Sequence, residues 1–202
     1  MNLLVLGATG RTGRLVVERA LVAGHTLTAL VRSPGKLSAG NPRLRVVVGE
    51  ATDSQAVSRA LEGTDAVIST LGGKGSVIVD STQAIVTAAR AAGVSRVVLL
   101  SSWVVERNSM DAATRLLTGI AMGSVIKDKT AGEQVLRRSD LAWTIVYPGP
   151  LTDNPANGSV TVLPEGAKRR MSEKISRADV AAWMVEAAAN NQYSRRSVGI
   201  TG

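Results

Sequence analysis

The chain contains no cysteine, no phenylalanine and a single histidine, and its aromatic side chains are three tryptophans and two tyrosines. Without cysteine there are no disulfides, no thiolate-bound metal and no cysteine nucleophile, which fits a reducing compartment; no metal site is expected. Scarce aromatics argue against a nucleic-acid surface built on base stacking, and they leave the core to Val, Leu, Ile and Ala. No apolar run is long enough to cross a bilayer, and no secretion leader is read. No membrane partner and a cytoplasmic location are therefore expected. One further absence is local: between Glu18 and Glu50 there is no Asp or Glu.

What remains is the composition of an ordinary globular protein, 202 residues long and 45% hydrophobic, so residues 1–202 are expected to form one domain. The net charge of +8 points to anionic partners. No helix carries a basic stripe, so nucleic acid is set aside and a phosphorylated cofactor is expected to use that charge. Short apolar runs at Leu3–Leu6, Leu27–Val31, Leu44–Val48, Ala66–Ile68, Val97–Leu100 and Thr144–Val146 read as strands buried on both faces. Between them, helical periodicity covers residues 12–23, 54–62, 77–92 and 126–138. That alternation predicts an α/β fold, a doubly wound parallel sheet of the Rossmann type. After Pro148 the rhythm changes, and residues 151–202 read as a short elaboration of the same domain. It holds one short strand, a helix opened by Ser176 and Asp179 at capping-box spacing, and a last strand, Ser197–Thr201.

The stretch LLVLGATGRTGRLV, residues 3–16, places Gly7, Gly10 and Gly13 between an apolar strand and a helix. A helix start offers unpaired N–H groups and the positive end of a dipole, which together attract phosphate. Glycine at these positions makes the turn, lets a pyrophosphate approach the backbone and lets helix and strand pack closely. The spacing G-x-x-G-x-x-G, inside a βαβ context, is read as a dinucleotide site. Where an NAD site places an acid after the second strand, this chain has Arg32, with Ser33 and Lys36 nearby. A guanidinium suits a 2′-phosphate, and Arg11 and Arg14 add positive charge, so NADP(H) is expected over NAD(H).

With these residues in hand, the chain resembles the small atypical short-chain dehydrogenase/reductases with an NAD(P)H-binding Rossmann domain. Within them it is most similar to the flavin reductase / biliverdin reductase B group and to NmrA-like proteins. GATGRTG, LVR, GTDAVISTLG, GVSRVVLLSS, LRRSDLAWTIVYPGPLTD and SRADVA carry the likeness over nearly the whole chain. The resemblance implies that Gly7, Thr9, Gly10, Arg11, Thr12 and Gly13 form the phosphate loop and that Arg32 meets the adenosine phosphate. It further implies that Glu50 and Ala51 flank the adenine and that Thr70, Leu71 and Gly72 border the nicotinamide ribose. Ser101 would join the cofactor site, Ser102 matches the active-site serine, and Pro148, Gly149 and Pro150 would face the nicotinamide amide. In the Tyr-x-x-x-Lys pattern of the larger family, Lys129 takes the lysine position and Val125 the tyrosine position, so the usual proton donor is missing. Pro150 stands where the flavin reductase relative has a histidine.

Reduction of an aliphatic ketone calls for a tuned acid, whereas a conjugated acceptor spreads negative charge and takes its proton from water. The expected function is therefore NADPH-dependent reduction of a small conjugated acceptor: a flavin, a quinone or a biliverdin-like compound. Ser102 and Lys129 are the catalytic candidates, and Trp103 and Tyr147 the substrate-contacting ones. Residues 104–124, with Met110, Leu116, Leu117, Ile120 and Met122, are read as an apolar lid or as core packing. His25 is read as a loop residue. The alternative function is a non-catalytic NADP(H)-binding redox sensor or scaffold of the NmrA type, and the chain is expected to be a monomer or a weak homo-oligomer.

Overall fold

The computed structural model of the chain describes residues 1–37, 40–73, 75–168 and 170–202; the Lys36 side chain lies outside the described part. Among the described residues, ten strands and five α-helices follow one another. They are β1 (Asn2–Leu6), α1 (Arg11–Val22), β2 (Thr26–Val31), β3 (Leu44–Val48), α2 (Ser54–Leu61), β4 (Ala66–Ser69), α3 (Val77–Ala92) and β5 (Arg96–Leu100), then α4 (Ala112–Arg137), β6 (Ala142–Pro148), β7 (Leu151–Thr152), β8 (Thr161–Leu163), β9 (Ile175–Ser176), α5 (Arg177–Ala189) and β10 (Arg196–Thr201). Eight of the strands form one sheet in the order β3-β2-β1-β4-β5-β6-β10-β8. All neighbours pair in parallel except β8, which runs antiparallel to β10. β7 and β9 form a separate parallel pair. The strand order reverses between β1 and β4, the place where doubly wound sheets open a crevice beyond the carboxyl ends of their strands.

The apolar runs are explained by burial on both sides of the sheet. Leu3 and Val5 of β1 pack with Val16, Ala20, Val180 and Met184 of α1 and α5. Leu4 and Leu6 point the other way, toward Val57, Ala60, Ile85 and Leu136 of α2, α3 and α4. This alternation is the period of two of a pleated strand. The α/β class and the doubly wound sheet expected from the sequence are what the structure has. The capping box also forms: the Asp179 N–H donates to Ser176 Oγ at 3.0 Å, and Ser176 Oγ donates to Asp179 Oδ2 at 2.6 Å.

One expectation is corrected. The helix read at residues 126–138 begins fourteen residues earlier, at Ala112, with the Thr114 N–H donating to Asp111 Oδ1 at 2.9 Å. Gly119, Gly123, Ser124 and the threonines, all poor helix formers, hid this half of the helix from the sequence pattern. Within residues 104–124, read as an apolar lid or as core packing, the apolar side chains divide between two surroundings. Met110 packs with Trp103, Val104 and Ile126, while Leu116, Leu117 and Ile120 are 64%, 67% and 77% exposed on α4. Among the described residues, no helix is long and apolar enough to cross a membrane.

Candidate functional site

The turn from β1 to α1 is closed by glycine at its two tightest points. Gly7 has φ +80°, and a Cβ added to Gly13 would lie 2.0 Å from the Gly7 carbonyl oxygen. No side chain therefore separates the start of α1 from the end of β1. The α1 N-terminus also differs from the others. Asp53 accepts from the Gln55 N–H at the start of α2, and Asp128 accepts from the Ile78 and Val79 N–H groups at the start of α3. Asp111 and Ser176 serve α4 and α5. α1 has no side-chain acceptor at its cap and no acid in its first turn. Its first N–H groups, at Arg11, Thr12 and Gly13, have no partner within the helix and lie at the positive end of its dipole. This bare, glycine-lined helix start suits an anionic pyrophosphate, and so the residues fit a dinucleotide.

Beside it, beyond the carboxyl ends of β4, β5 and β6, lies a cavity of about 330 Å³. Its walls bring together Thr70, Leu71 and Gly72 after β4, Ser101, Ser102 and Trp103 after β5, Lys129 of α4, and Pro148, Gly149 and Pro150 at and after β6. Gly149 is needed by close approach, since a Cβ there would fall 2.0 Å from the Glu173 carbonyl oxygen. Lys129 Nζ donates to the Leu100 carbonyl at 3.3 Å. Burial pulls its ammonium below the ordinary lysine value, partly countered by Glu133 and Asp128. Val125, one helical turn before Lys129, offers no hydroxyl. A larger hollow of about 590 Å³ runs along α5 from Asp179 to Ala189, beside Arg19 and Ala23 at the end of α1 and His25, and includes none of the glycine-turn residues.

Arg32, Glu50, Ala51 and Tyr147 stand apart from this cavity. Arg32 is exposed at the end of β2, and Glu50 and Ala51 follow β3, exposed and half-buried respectively, on the β2–β3 side of the strand reversal. Tyr147 is turned away from the cavity and is 2% exposed. It shares a strand face with Ile145 and packs beneath α4, where its hydroxyl donates to Glu133. Its place as a substrate-contacting residue is thereby corrected: the parity of β6 directs it to the helical layer. Burial and the neighbouring Glu133 push its hydroxyl far above the usual tyrosine range.

The cavity also has members that sequence reasoning passed over. Arg177, the first residue of α5, lines it. The Arg177 guanidinium donates to Asp153 Oδ1 at 2.7 Å, and Arg11 donates to the other oxygen, Oδ2, at 3.2 Å. Asp153 thus links the segment after β7 to the glycine turn. Glu133, 4% exposed, lies behind the Ser101 wall; its place one turn after Lys129 was the available signal. Burial raises its carboxyl above the ordinary glutamate value, opposed by hydrogen bonds from Ser101 and Tyr147 and by Arg137 and Lys129.

Comparison with known proteins places the chain in a family. Residues 7–191 match the NAD(P)H-binding family. The chain is 32% identical to oxidoreductase stcQ of Emericella nidulans over 97% of its own length and 81% of that protein. It is 30% identical to a (4-alkanoyl-5-oxo-2,5-dihydrofuran-3-yl)methyl phosphate reductase of Streptomyces griseus, covering 99% of this chain and 67% of the relative. In structure it resembles ChuY, an anaerobilin reductase from Escherichia coli O157:H7, with a TM-score of 0.84 at 24% identity over 100% of this chain and 97% of the other. Glycine turn, bare helix start, parallel sheet and sequence relatives converge: the chain belongs to the NAD(P)H-binding family of Rossmann-fold oxidoreductases.

Proposed function

We propose that the protein is a reductase of the short-chain dehydrogenase/reductase type that uses NADPH to reduce a small conjugated acceptor such as a flavin, a quinone or a bilin. The observation that carries this reading is a cavity furnished with Ser102 and Lys129 but no tyrosine hydroxyl, set beside the bare start of α1. The bound dinucleotide supplies a hydride. The protein's part is to position the acceptor against it, with Ser102 as hydrogen-bond donor and the Lys129 ammonium favouring the negative charge that develops. A conjugated acceptor spreads that charge and takes its proton from water, so a dedicated acid is dispensable. The Streptomyces griseus relative supports this class, since its named substrate carries a double bond conjugated to a ring carbonyl. Arg32, exposed after β2 in place of an acid, supports NADPH over NADH.

A second reading, a non-catalytic NADP(H) sensor, is supported by the exposed Leu116, Leu117 and Ile120, an apolar surface of the kind partners use. The deciding experiment follows NADPH and NADH oxidation by the purified protein with FMN, quinones and biliverdin. Turnover that prefers NADPH, with the preference reduced about tenfold or more in Arg32→Ala, is the expected result. Tight NADPH binding without turnover on any acceptor favours the sensor.

A further inference from the structure

On α4, Lys129, Glu133 and Arg137 follow one another at four-residue spacing, so they share one face of the helix. That face lies against the ends of β5 and β6, directly behind the cavity. The Ser101 hydroxyl, at the end of β5, donates to Glu133 Oε1 at 2.5 Å. The Tyr147 hydroxyl, from β6, donates to Oε2. Arg137 in turn donates to the Tyr147 hydroxyl at 2.9 Å and to Ser197 Oγ at 2.7 Å, and its guanidinium lies 3.8 Å from Glu133 Oε2. Both carboxyl oxygens of Glu133 are thus engaged by hydroxyls, contacts that favour its ionised form against the burial that opposes it.

The other charges nearby have partners of their own, although Asp128 adds to Glu133 in favouring the Lys129 ammonium. Both oxygens of Asp128, the second acid beside Lys129, are taken by the Ile78 and Val79 N–H groups. α3, packed along α4, turns Asp80 to Ser76 and Arg90 to Asp140. Arg177, in the same cavity wall, is paired with Asp153. We propose that Glu133 is the positioning residue of the site: its one buried carboxylate pins the ends of β5 and β6 through Ser101 and Tyr147 and balances the Lys129 ammonium in the cavity wall.

The two strands held by Glu133 carry the opposing walls of the cavity, Ser101–Trp103 on one side and Pro148–Pro150 on the other. Glu133 itself does not line the cavity and acts through these neighbours. When it is neutral, Lys129 is left in a desolvated wall with less negative charge beside it, and its neutral amine is favoured. The ammonium that faces the dinucleotide thus depends on an acid one helical turn behind it.

This inference rests on the reading of the cavity as the dinucleotide site. It is tested by NADPH affinity, measured by fluorescence across pH for the full-length wild type, Glu133→Gln and Lys129→Met. In the wild type, affinity is expected to fall on the alkaline side as Lys129 loses its proton. In Glu133→Gln that fall moves toward neutral by about one pH unit. In Lys129→Met it disappears, and the acid-side change governed by Glu133 moves to higher pH, because coupling between two groups is reciprocal. Superposed profiles for the wild type and Glu133→Gln overturn the proposal. If Glu133→Gln does not fold, an unshifted acid side in Lys129→Met overturns it instead. Failure of turnover on every acceptor would defeat the reductase reading and leave these binding profiles standing. Failure of the wild type to bind NADPH would overturn both.

Discussion

At the level of single residues, the site depends on where a side chain is absent as much as on where one is present. Gly13 is the sharpest case, because even one methyl group would sit 2.0 Å from the Gly7 carbonyl oxygen. Gly13→Ala is therefore expected to push α1 off β1, lower stability by about 2 kcal/mol or more and abolish NADPH binding; thermal melts and fluorescence titration check both. The glycine spacing was fully legible in the sequence, since no other residue type serves such a turn. Tyr147 was not. Alternation along β6 fixes that Tyr147 and Ile145 share a face, but a strand buried on both sides gives no cue as to which face meets which layer. Arg177 was hidden for a different reason: its distance from the cavity collapses only when α5 docks its amino end beside the glycine turn.

Among the elements, the strands were the easiest to read and α4 the hardest. Parallel strands covered on both faces show up as unbroken apolar runs, and each run in the sequence became a strand of the sheet. The first half of α4 lies beyond the strand ends and packs on little, so neither propensity nor periodicity announced it. At 26 residues the helix is about 39 Å long, far longer than the strands it flanks. β5 shows the opposite situation, a polar residue drawn fully inside. Arg96 is 4% exposed and donates to the Ala142 carbonyl at 2.8 Å and to the Ala187 carbonyl in the last turn of α5 at 2.5 Å. Burial lowers its guanidinium to about 10. Arg96→Ala is expected to strand both carbonyls and cost about 3 kcal/mol, read as a lower denaturation midpoint with NADPH affinity unchanged in the folded fraction.

For the molecule as a whole, the sheet reaches across the boundary read at residue 150. β10 pairs in parallel with β6, and β8 pairs with β10. We propose that residues 151–202 fold with the rest as one unit. Tryptophan fluorescence and far-ultraviolet circular dichroism should then report a single coincident unfolding transition, and two separated transitions would refute this. The same unity gives the bare start of α1 a reach far beyond chemistry. Among the described helices, α2 to α5 find a side-chain acceptor for their first N–H groups within the chain, α3 taking its from α4, and α1 lacks one. A dinucleotide that supplies it stabilises the entire fold, by about 2.7 kcal/mol at a hundredfold excess over Kd. Resistance to a protease is then expected to rise with the concentration of the nucleotide, which limited proteolysis with and without NADPH checks.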